Sequence, residues 1–222
     1  MKKVALALAL LALGSAVPVA AQAVNFSFFV TSRGVGNGAN LGGLRGADQH
    51  CTTLAYVLGS VYTWRAYLSA VAADGQPAVN ARDRIGPGPW YNFRGDLIAR
   101  DVTELHSEAA NLTKESILTE QGRVSNGRGD TPNQHDILTG SNSDGTVYTG
   151  AGTTACGNWR SNAEGSARVG HHDRQGGGEN PTSWNSAHDS RGCSQENLVA
   201  TGGNGYFYCF ATDVAMQEEQ EE

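Results

Sequence analysis

The chain has 222 residues, of which 39% are hydrophobic, and it carries a formal net charge of −6. This acidic balance argues against nucleic acid as a partner, because proteins that bind polyanions normally present a basic face. The length suits one large domain or two small ones, and the 29 glycines predict many turns and loops.

The N-terminus has the three parts of a secretory signal peptide. Lys2 and Lys3 give it a positive start, an apolar run covers residues 4–13, and small residues follow up to Ala23. The apolar run is too short for an ordinary transmembrane helix. We therefore expect a signal peptide over residues 1–23 and a secreted or periplasmic protein with no membrane insertion after cleavage.

Cleavage after Ala23 would leave 14 basic and 22 acidic side chains, a net charge of −8. We expect the domain to cover residues 24–215. The glutamate-rich residues 216–222 lack side chains for a core, so we expect them to form an acidic, disordered tail.

Four cysteines predict two disulfides, because an exported chain meets oxidising surroundings. They are Cys51, Cys156, Cys193 and Cys209. Zinc ligation is the competing use of cysteine, and it is disfavoured because the four residues are scattered and form no C-x-x-C pair. Four cysteines allow three pairings, and their spacing does not choose among them.

In chain order, residues 24–31 are rich in Val and Phe and predict a first strand. A glycine-rich loop over residues 34–46 follows. Asp48 then occupies an N-cap position and Gly59 a helix stop, so the residues between them, including Cys51, predict a short helix. Alternating aromatic and small residues over 63–71 predict a second strand.

The C-terminal half has weaker local signals. Residues 98–105 fit either a short helix or a strand, and alternating aromatic residues over 206–211 predict a terminal strand. Residues 150–204 are polar and glycine-rich, interrupted by Trp159 and Trp184. We interpret this stretch as a long loop region, and a loop of that length is rare in a compact domain unless it has a function.

The motifs around the cysteines and tryptophans occur in a recognisable order. They are Ala47-Asp48-x-x-Cys51, Trp64-Arg65-Ala66-Tyr67-Leu68-Ser69, Ile85, Trp90, Leu138-Thr139-Gly140-Ser141 with Asp144-Gly145, Cys156-x-x-Trp159, Cys193 and Tyr208-Cys209. Together they resemble the endostatin-like branch of the C-type lectin-like fold, found in bacterial exported proteins often called lectins. The resemblance spans roughly residues 28–211.

The resemblance implies an α+β domain with two short helices, mixed strands and a long loop region. It also implies two nested disulfides, Cys51–Cys209 and Cys156–Cys193. Three tryptophans are then expected in the core: Trp64, Trp90 and Trp159.

C-type lectins that bind sugar through calcium use a Glu-Pro-Asn or Gln-Pro-Asp triplet in the long loop, followed by Trp-Asn-Asp. Carboxylate and amide oxygens chelate the ion, whose open coordination positions accept sugar hydroxyls. This chain has Glu-Asn-Pro at 179–181 and Trp-Asn-Ser at 184–186. The order is similar, but Pro and Asn are exchanged in the first triplet and Ser replaces Asp in the second.

The resemblance implies a ligand site built from Glu179, Asn180, Trp184, Asn185 and Asp189. Within it, Glu179, Asn185 and Asp189 would hold calcium, the one cofactor expected. The implied function is that of an exported, non-catalytic domain that binds carbohydrate or a glycoconjugate. The alternative is a surface or adhesin-type module of the same fold that binds a protein without sugar or calcium.

Aromatic rings offer a second route to sugar binding, because flat apolar faces stack on the C–H face of a pyranose. Tyr91 and Trp184 lie in polar, glycine-rich surroundings where either ring could be exposed. Trp184, however, matches a position that packs inside the domain in the family.

The same loop contains His171, His172, Asp173 and His188, whose side chains are of the types that bind zinc. Adjacent histidines usually point apart, so we favour ordinary hydrogen bonding over a zinc site. The zinc ligands of endostatin lie mainly at its N-terminal end, where this chain has no matching histidines, so that site does not carry over.

A hydrolase could be built from Ser186 or Ser190 as nucleophile, His188 as base, and Asp173 or Asp189 behind it. No G-x-S-x-G elbow or other nucleophile context surrounds these serines. We therefore expect no enzymatic activity.

Overall fold

The computed structural model describes residues 25–150 and 155–214, so the predicted signal peptide and acidic tail lie outside the described residues. Within them the chain forms an α+β structure with one mixed sheet and one small two-stranded sheet. None of the described helices has the length and apolar character needed to cross a membrane.

The regular elements follow one another as three groups. The first contains β1 (Phe28–Val30), α1 (Gly43–Tyr56) and β2 (Trp64–Ala66). The second contains β3 (Trp90–Tyr91), β4 (Leu97–Ala99) and α2 (Val102–Leu105). The third contains β5 (Asp136–Leu138), β6 (Arg168–His171), β7 (His188–Asp189), α3 (Gln195–Thr201) and β8 (Gly203–Ala211). The predicted strands over 24–31 and 63–71 are thus confirmed in shorter form, and residues 98–105 contain both a strand and a helix.

Strand β8 is the centre of the larger sheet. It pairs antiparallel with β1 and β2 and parallel with β5, and β6 and β7 continue the sheet from β5. Eight of its nine residues, all except Asn204, are buried, as in strands covered on both faces. The terminal strand predicted over residues 206–211 is confirmed and begins three residues earlier.

The nested disulfide pairing is confirmed. Cys51 and Cys209 join α1 to β8 with a Cα–Cα distance of 5.7 Å, and Cys156 and Cys193 are joined at 5.6 Å. All four cysteines are buried, as are the three tryptophans expected in the core: Trp64, Trp90 and Trp159.

A left-handed turn at residues 155–159 carries one end of the inner disulfide. All five residues have positive φ, between 45° and 65°, although one alone is a glycine. The indole N–H of Trp159 donates to the carbonyl oxygen of Ser69 at 2.8 Å. The side-chain amide of Asn158 bonds both backbone groups of Val71, at 2.8 and 3.0 Å. Contacts distant in sequence therefore hold this turn in place.

The predicted helix around Cys51 is confirmed, but its predicted start is wrong, because α1 begins at Gly43. Gly42 precedes the helix with a φ of 79°, which favours glycine. A Cβ at Gly46 would lie 2.0 Å from the carbonyl oxygen of residue 41. The glycines that suggested a loop instead allow the chain to turn tightly into the helix.

Asp48 is therefore an internal helix residue rather than an N-cap. Its two carboxylate oxygens accept hydrogen bonds from Arg84, both at 2.8 Å, and one of them also accepts from the backbone N–H of Ala66 at 2.9 Å. The Arg84 and Asp48 side chains are 11% and 14% exposed. This largely buried ion pair fixes α1 against β2.

The region over residues 150–204 is more regular than predicted, since it contains β6, β7 and α3. The two strands are short and carry Arg168, His171 and His188, so they lack the apolar alternation by which a strand is recognised. Trp184 is buried, with 5% exposure, so of the two alternatives for its ring the structure has the packed one rather than the exposed one.

Replacing Asp48 by Asn tests the buried ion pair. We expect Asp48→Asn to lower the free energy of unfolding by about 3 kcal/mol, because the guanidinium of Arg84 stays buried without a charged partner. Urea unfolding followed by tryptophan fluorescence measures the loss. Asp83→Asn is the control, because Asp83 is exposed and pairs with Asn80, and it should change the value by less than about 0.5 kcal/mol. Equal losses in the two variants would contradict the role given to the pair.

Candidate functional site

Three imidazoles and a carboxylate meet where β5, β6 and β7 lie side by side. Asp136 begins β5 and His135 precedes it, while the sheet register places His171 of β6 opposite Asp136. The next strand, β7, begins with His188. Strand pairing therefore brings together residues that are up to about fifty positions apart in the sequence.

The four side chains form a compact cluster. Oδ1 of Asp136 lies 3.2 Å from Nε2 of His135, 3.3 Å from Nε2 of His171 and 3.6 Å from Nε2 of His188. The Nε2 atoms of His171 and His188 are 3.0 Å apart, and the rings of His135 and His171 stack with centroids 4.3 Å apart. The side chain of His188 is 23% exposed and the others are almost fully buried, so His188 forms the outer edge.

Asp136 stands out within this cluster. Its side chain is 2% exposed, and its near neighbours among the described residues are imidazole nitrogens, none of which meets strict hydrogen-bond geometry toward either carboxylate oxygen. A buried carboxylate is costly unless it is paired with a charge, here either a protonated imidazole or a bound cation.

The outward-facing nitrogens of the three rings all have hydrogen-bond acceptors. Nδ1 of His171 faces the carbonyl oxygen of Pro181 at 2.8 Å, and Nδ1 of His188 faces that of Asp189 at 3.1 Å. Nδ1 of His135 faces Oδ1 of Asp173 at 3.2 Å. These contacts fix the orientation of each ring and leave its Nε2 directed at Asp136.

One group of the cluster, His171, and the neighbouring Asp173 have shifted pKa values. Burial alone would lower the pKa of His171, but the Asp136 carboxylate and the Pro181 carbonyl more than offset it, and the pKa is raised. Burial would raise the pKa of Asp173, but contacts with His135 and with two backbone N–H groups reverse the effect and hold it well below the usual range. Asp173 is therefore ionised at neutral pH.

The structure separates the histidines that are adjacent in sequence. Nε2 of His172 bonds the carbonyl oxygen of Asn126 at 3.0 Å, away from the cluster, and burial lowers the pKa of His172. Of the zinc-ligand types noted in the sequence, His171 and His188 meet in the cluster and Asp173 supports it. Sequence reasoning missed His135 and Asp136, although a polar pair directly before the apolar Ile-Leu of β5 is a signal that could have drawn attention to them.

A polar groove of about 310 Å³ lies beside the cluster. Four of the five predicted ligand residues line it: Glu179, Asn180, Trp184 and Asn185. Asp189 is not part of its lining. Pro181, whose carbonyl orients His171, also lines the groove, so the groove and the cluster share the segment between β6 and β7.

Three hydrogen-bonded side chains lie at the base of the groove: Asn185, Tyr67 and His106. Asn185 is buried and donates from Nδ2 to the hydroxyl oxygen of Tyr67 at 2.9 Å. That hydroxyl lies 2.7 Å from Nε2 of His106, whose Nδ1 faces the carbonyl oxygen of Val102. Because Nδ1 of His106 donates to this carbonyl, Nε2 accepts from Tyr67. The rings of Tyr67 and His106 both contact Trp184.

One wall of the groove is formed by Arg174. Its guanidinium pairs with Glu108 at 2.9 Å and donates to the carbonyl oxygen of Thr182 at 3.1 Å. Glu108 is 93% exposed, so its carboxylate stays accessible to a ligand. The result is an open cleft with charged and amide groups on its rim and ring surfaces at its base.

Two of the three predicted calcium ligands already contact a cation. Glu179 accepts from the guanidinium of Arg168 at 2.7 Å, and Asp189 lies 3.3 Å from it. Arg168 is 2% exposed and also lies over the ring of Tyr148. The third, Asn185, uses Oδ1 to accept from Ser183. A calcium ion bound by these residues would therefore have to displace Arg168.

The serines considered as nucleophiles have other partners. The hydroxyl of Ser186 accepts from Nε of Arg168 at 3.2 Å, and that of Ser190 donates to the carbonyl oxygen of Gly192 at 3.0 Å. Among the described residues no hydrogen bond joins either serine to His188, whose Nε2 faces His171 instead.

No protein-family model matches this sequence, and no curated protein is found to be significantly similar to it.

The two histidines with lowered pKa values lead to a prediction about pH. Burial is the main cause in both His106 and His172. On acidification the unfolded chain takes up protons on them first, so their contribution to stability is present above about pH 6.5 and is lost as the pH falls further. Imidazole NMR titration of chelator-treated protein should give a pKa below 6.5 for both residues. A midpoint at or above 6.5 for either one would refute this account.

Proposed function

We propose that this chain is an exported, non-catalytic recognition domain that binds carbohydrate in the groove between Glu108 and Glu179. The C-type lectin-like fold that its motifs resemble is part of this proposal. The mixed sheet, the short helices and the nested disulfides are compatible with that fold. Disulfides also suit a protein that works in an oxidising compartment outside the cytoplasm.

The observation that carries the proposal is the polarity of the groove. Sites for drug-like molecules are lined mostly by apolar side chains and range over roughly 300–1,000 Å³. This groove is at the small end of that range and presents Glu108, Arg174, Glu179 and Asn180 around its rim. Carboxylates, amides and a guanidinium are the groups that bind the hydroxyls of a small saccharide.

A role for calcium in binding the sugar is a separate part of the proposal. Direct hydrogen bonds from the rim do not need the ion, whereas calcium bound by Glu179 and Asp189 requires Arg168 to leave both carboxylates. The two modes predict different dependence of sugar binding on calcium, so one experiment distinguishes them.

A protein partner is the second candidate, supported by an exposed apolar patch at the end of α1. Tyr56, Val57 and Val61 are 74%, 71% and 77% exposed. Large apolar side chains grouped on a surface are typical of protein-binding sites. A module of this kind would use a face other than the groove.

A glycan array, with calcium and with chelator, tests the proposed function. We expect binding to a defined set of saccharides, and Glu179→Gln should weaken the binding to the best of them by about tenfold or more, because a charge-assisted hydrogen bond is lost. Glu164→Gln is the matched control, since Glu164 is exposed and outside the groove lining. An array without binding under both conditions would refute carbohydrate recognition, and equal weakening by the two variants would refute the groove as its site.

A further inference from the structure

We infer that His135, Asp136, His171 and His188 bind one zinc ion. The inference rests on the contacts of the cluster and does not depend on carbohydrate binding in the groove. It differs from the calcium site predicted from the sequence in its position, its ligands and its metal.

The hydrogen bonds of the three rings determine which nitrogens are available to a metal. Each Nδ1 faces an acceptor, a carbonyl oxygen for His171 and His188 and the Asp173 carboxylate for His135. With a metal bound, each Nδ1 would carry the proton that its acceptor needs, and each Nε2 would offer its lone pair to the ion. Without a metal, protons on Nε2 must separate these nitrogens from one another and from the Asp136 carboxylate, so the ion would take the place of protons.

The spacing of the ligand atoms fits a tetrahedral ion. Zinc lies 2.0–2.1 Å from imidazole nitrogen and about 2.0–2.2 Å from carboxylate oxygen, which puts neighbouring ligand atoms about 3.3–3.4 Å apart. Four of the six distances between the ligand atoms of the cluster are 3.0, 3.2, 3.3 and 3.6 Å. The ligand atoms of His135, Asp136 and His171 all lie within 4.8 Å of one another, and His188 approaches Asp136 and His171 from the outer edge. Because the rings of His135 and His171 are stacked, zinc binding would require them to turn until both lone pairs meet at the ion.

The chemistry of the donors selects the class of metal. Calcium and magnesium take six or more oxygen ligands, or several waters, and a buried set of three nitrogens and one carboxylate does not suit them. Imidazole suits zinc and copper, but copper(II) prefers square-planar or tetragonal geometry. Four protein ligands complete a tetrahedron and leave no position for substrate, as in structural zinc sites.

The hydrogen bonds around the cluster also resemble those that orient histidine ligands in metal sites. Metal-binding histidines usually donate their second N–H to a carboxylate or a carbonyl, which orients the ring. Here the carboxylate of Asp173 is the acceptor for Nδ1 of His135. Asp173 in turn accepts hydrogen bonds from the backbone N–H groups of Arg128 and Gln175. Bound zinc would provide the missing partner of the Asp136 carboxylate.

The zinc ion would join the two ends of the segment between β6 and β7. His171 and His188 bracket its 16 residues, which include Glu179, Asn180 and Trp184. Two glycines of this segment lie against the cluster, since a Cβ at Gly176 would come within 2.3 Å of the ring of His171 and one at Gly178 within 2.9 Å of His188. Loss of zinc should therefore loosen residues 172–187 before it affects the core around β8.

Titration with zinc tests the site. Chelator-treated wild-type protein should bind one Zn²⁺ per chain in calorimetry, with a Kd on the order of nanomolar or tighter, and zinc should raise its melting temperature. Millimolar Ca²⁺ should not displace the zinc. A wild-type protein that binds no stoichiometric zinc would overturn the inference.

Substitutions then locate the ligands. His188→Gln replaces the most exposed ligand and should weaken zinc binding by at least about 100-fold. Asp136→Asn preserves the shape of the side chain and should abolish the zinc-induced rise in melting temperature. His172→Gln and His50→Gln are the controls and should leave the affinity within about threefold, and near-UV circular dichroism verifies the fold of each variant. Equal losses in His188→Gln and His172→Gln would overturn the assignment.

Hydrogen exchange supplies a readout that does not depend on affinity. Zinc should slow the exchange of amides in residues 172–187 and leave α1 unchanged, because only the former segment is closed by the ion. Stoichiometric zinc binding without protection of residues 172–187 would place the ion elsewhere and overturn the site.

Discussion

The Cys51–Cys209 disulfide crosslinks α1 to β8 at the residue of β8 that pairs with both β1 and β2. Cys209 is paired in the sheet with Phe29 of β1 and with Ala66 of β2, and its sulfur joins α1. The bridge spans 158 residues, and the chain-entropy model assigns a crosslink of that length about 5 kcal/mol. Because β5 pairs with the first half of β8, and β6 and β7 follow β5, the positions of the cluster and the groove both derive from this strand.

The sheet has two halves of different character. Around β1, β2 and β8 the side chains are aromatic and aliphatic, as at Phe28, Phe29 and Phe210. Toward β6 and β7 the buried side chains are instead charged or polar, as at Arg168 and His171. Burying such groups costs free energy unless they are paired, so the first half supports the fold and the second concentrates the groups available for binding.

The predictable parts of the structure are those with a local pattern. The terminal strand over 206–211 has alternating aromatic residues, and the helix around Cys51 has apolar residues at helical spacing, so both were found from the sequence. The spacing of the cysteines leaves the disulfide pairing open, and the resemblance is what implies it. The start of α1 was missed because glycines that suggest a loop also permit a tight entry into a helix.

The candidate site was predictable in part for a similar reason. Strands β6 and β7 carry charged and imidazole side chains where a strand signal needs apolar ones, so the sequence pattern there predicts a loop. Glu179, Asn180 and Asn185 were placed near one another by their closeness in sequence. His135 and Asp136 join His171 only through the pairing of β5 with β6, a contact between residues 35 positions apart that local patterns do not reveal.

The left-handed turn at residues 155–159 makes the inner disulfide depend on a distant part of the chain. A left-handed conformation costs about 1–2 kcal/mol for each residue that is not glycine, so this turn is unstable on its own. Ser69 and Val71, which follow β2 closely in sequence, supply the hydrogen bonds that hold it. The position of Cys156 opposite Cys193 is therefore stabilised from the other half of the chain, and damage to the segment after β2 would be felt at a crosslink about ninety residues away.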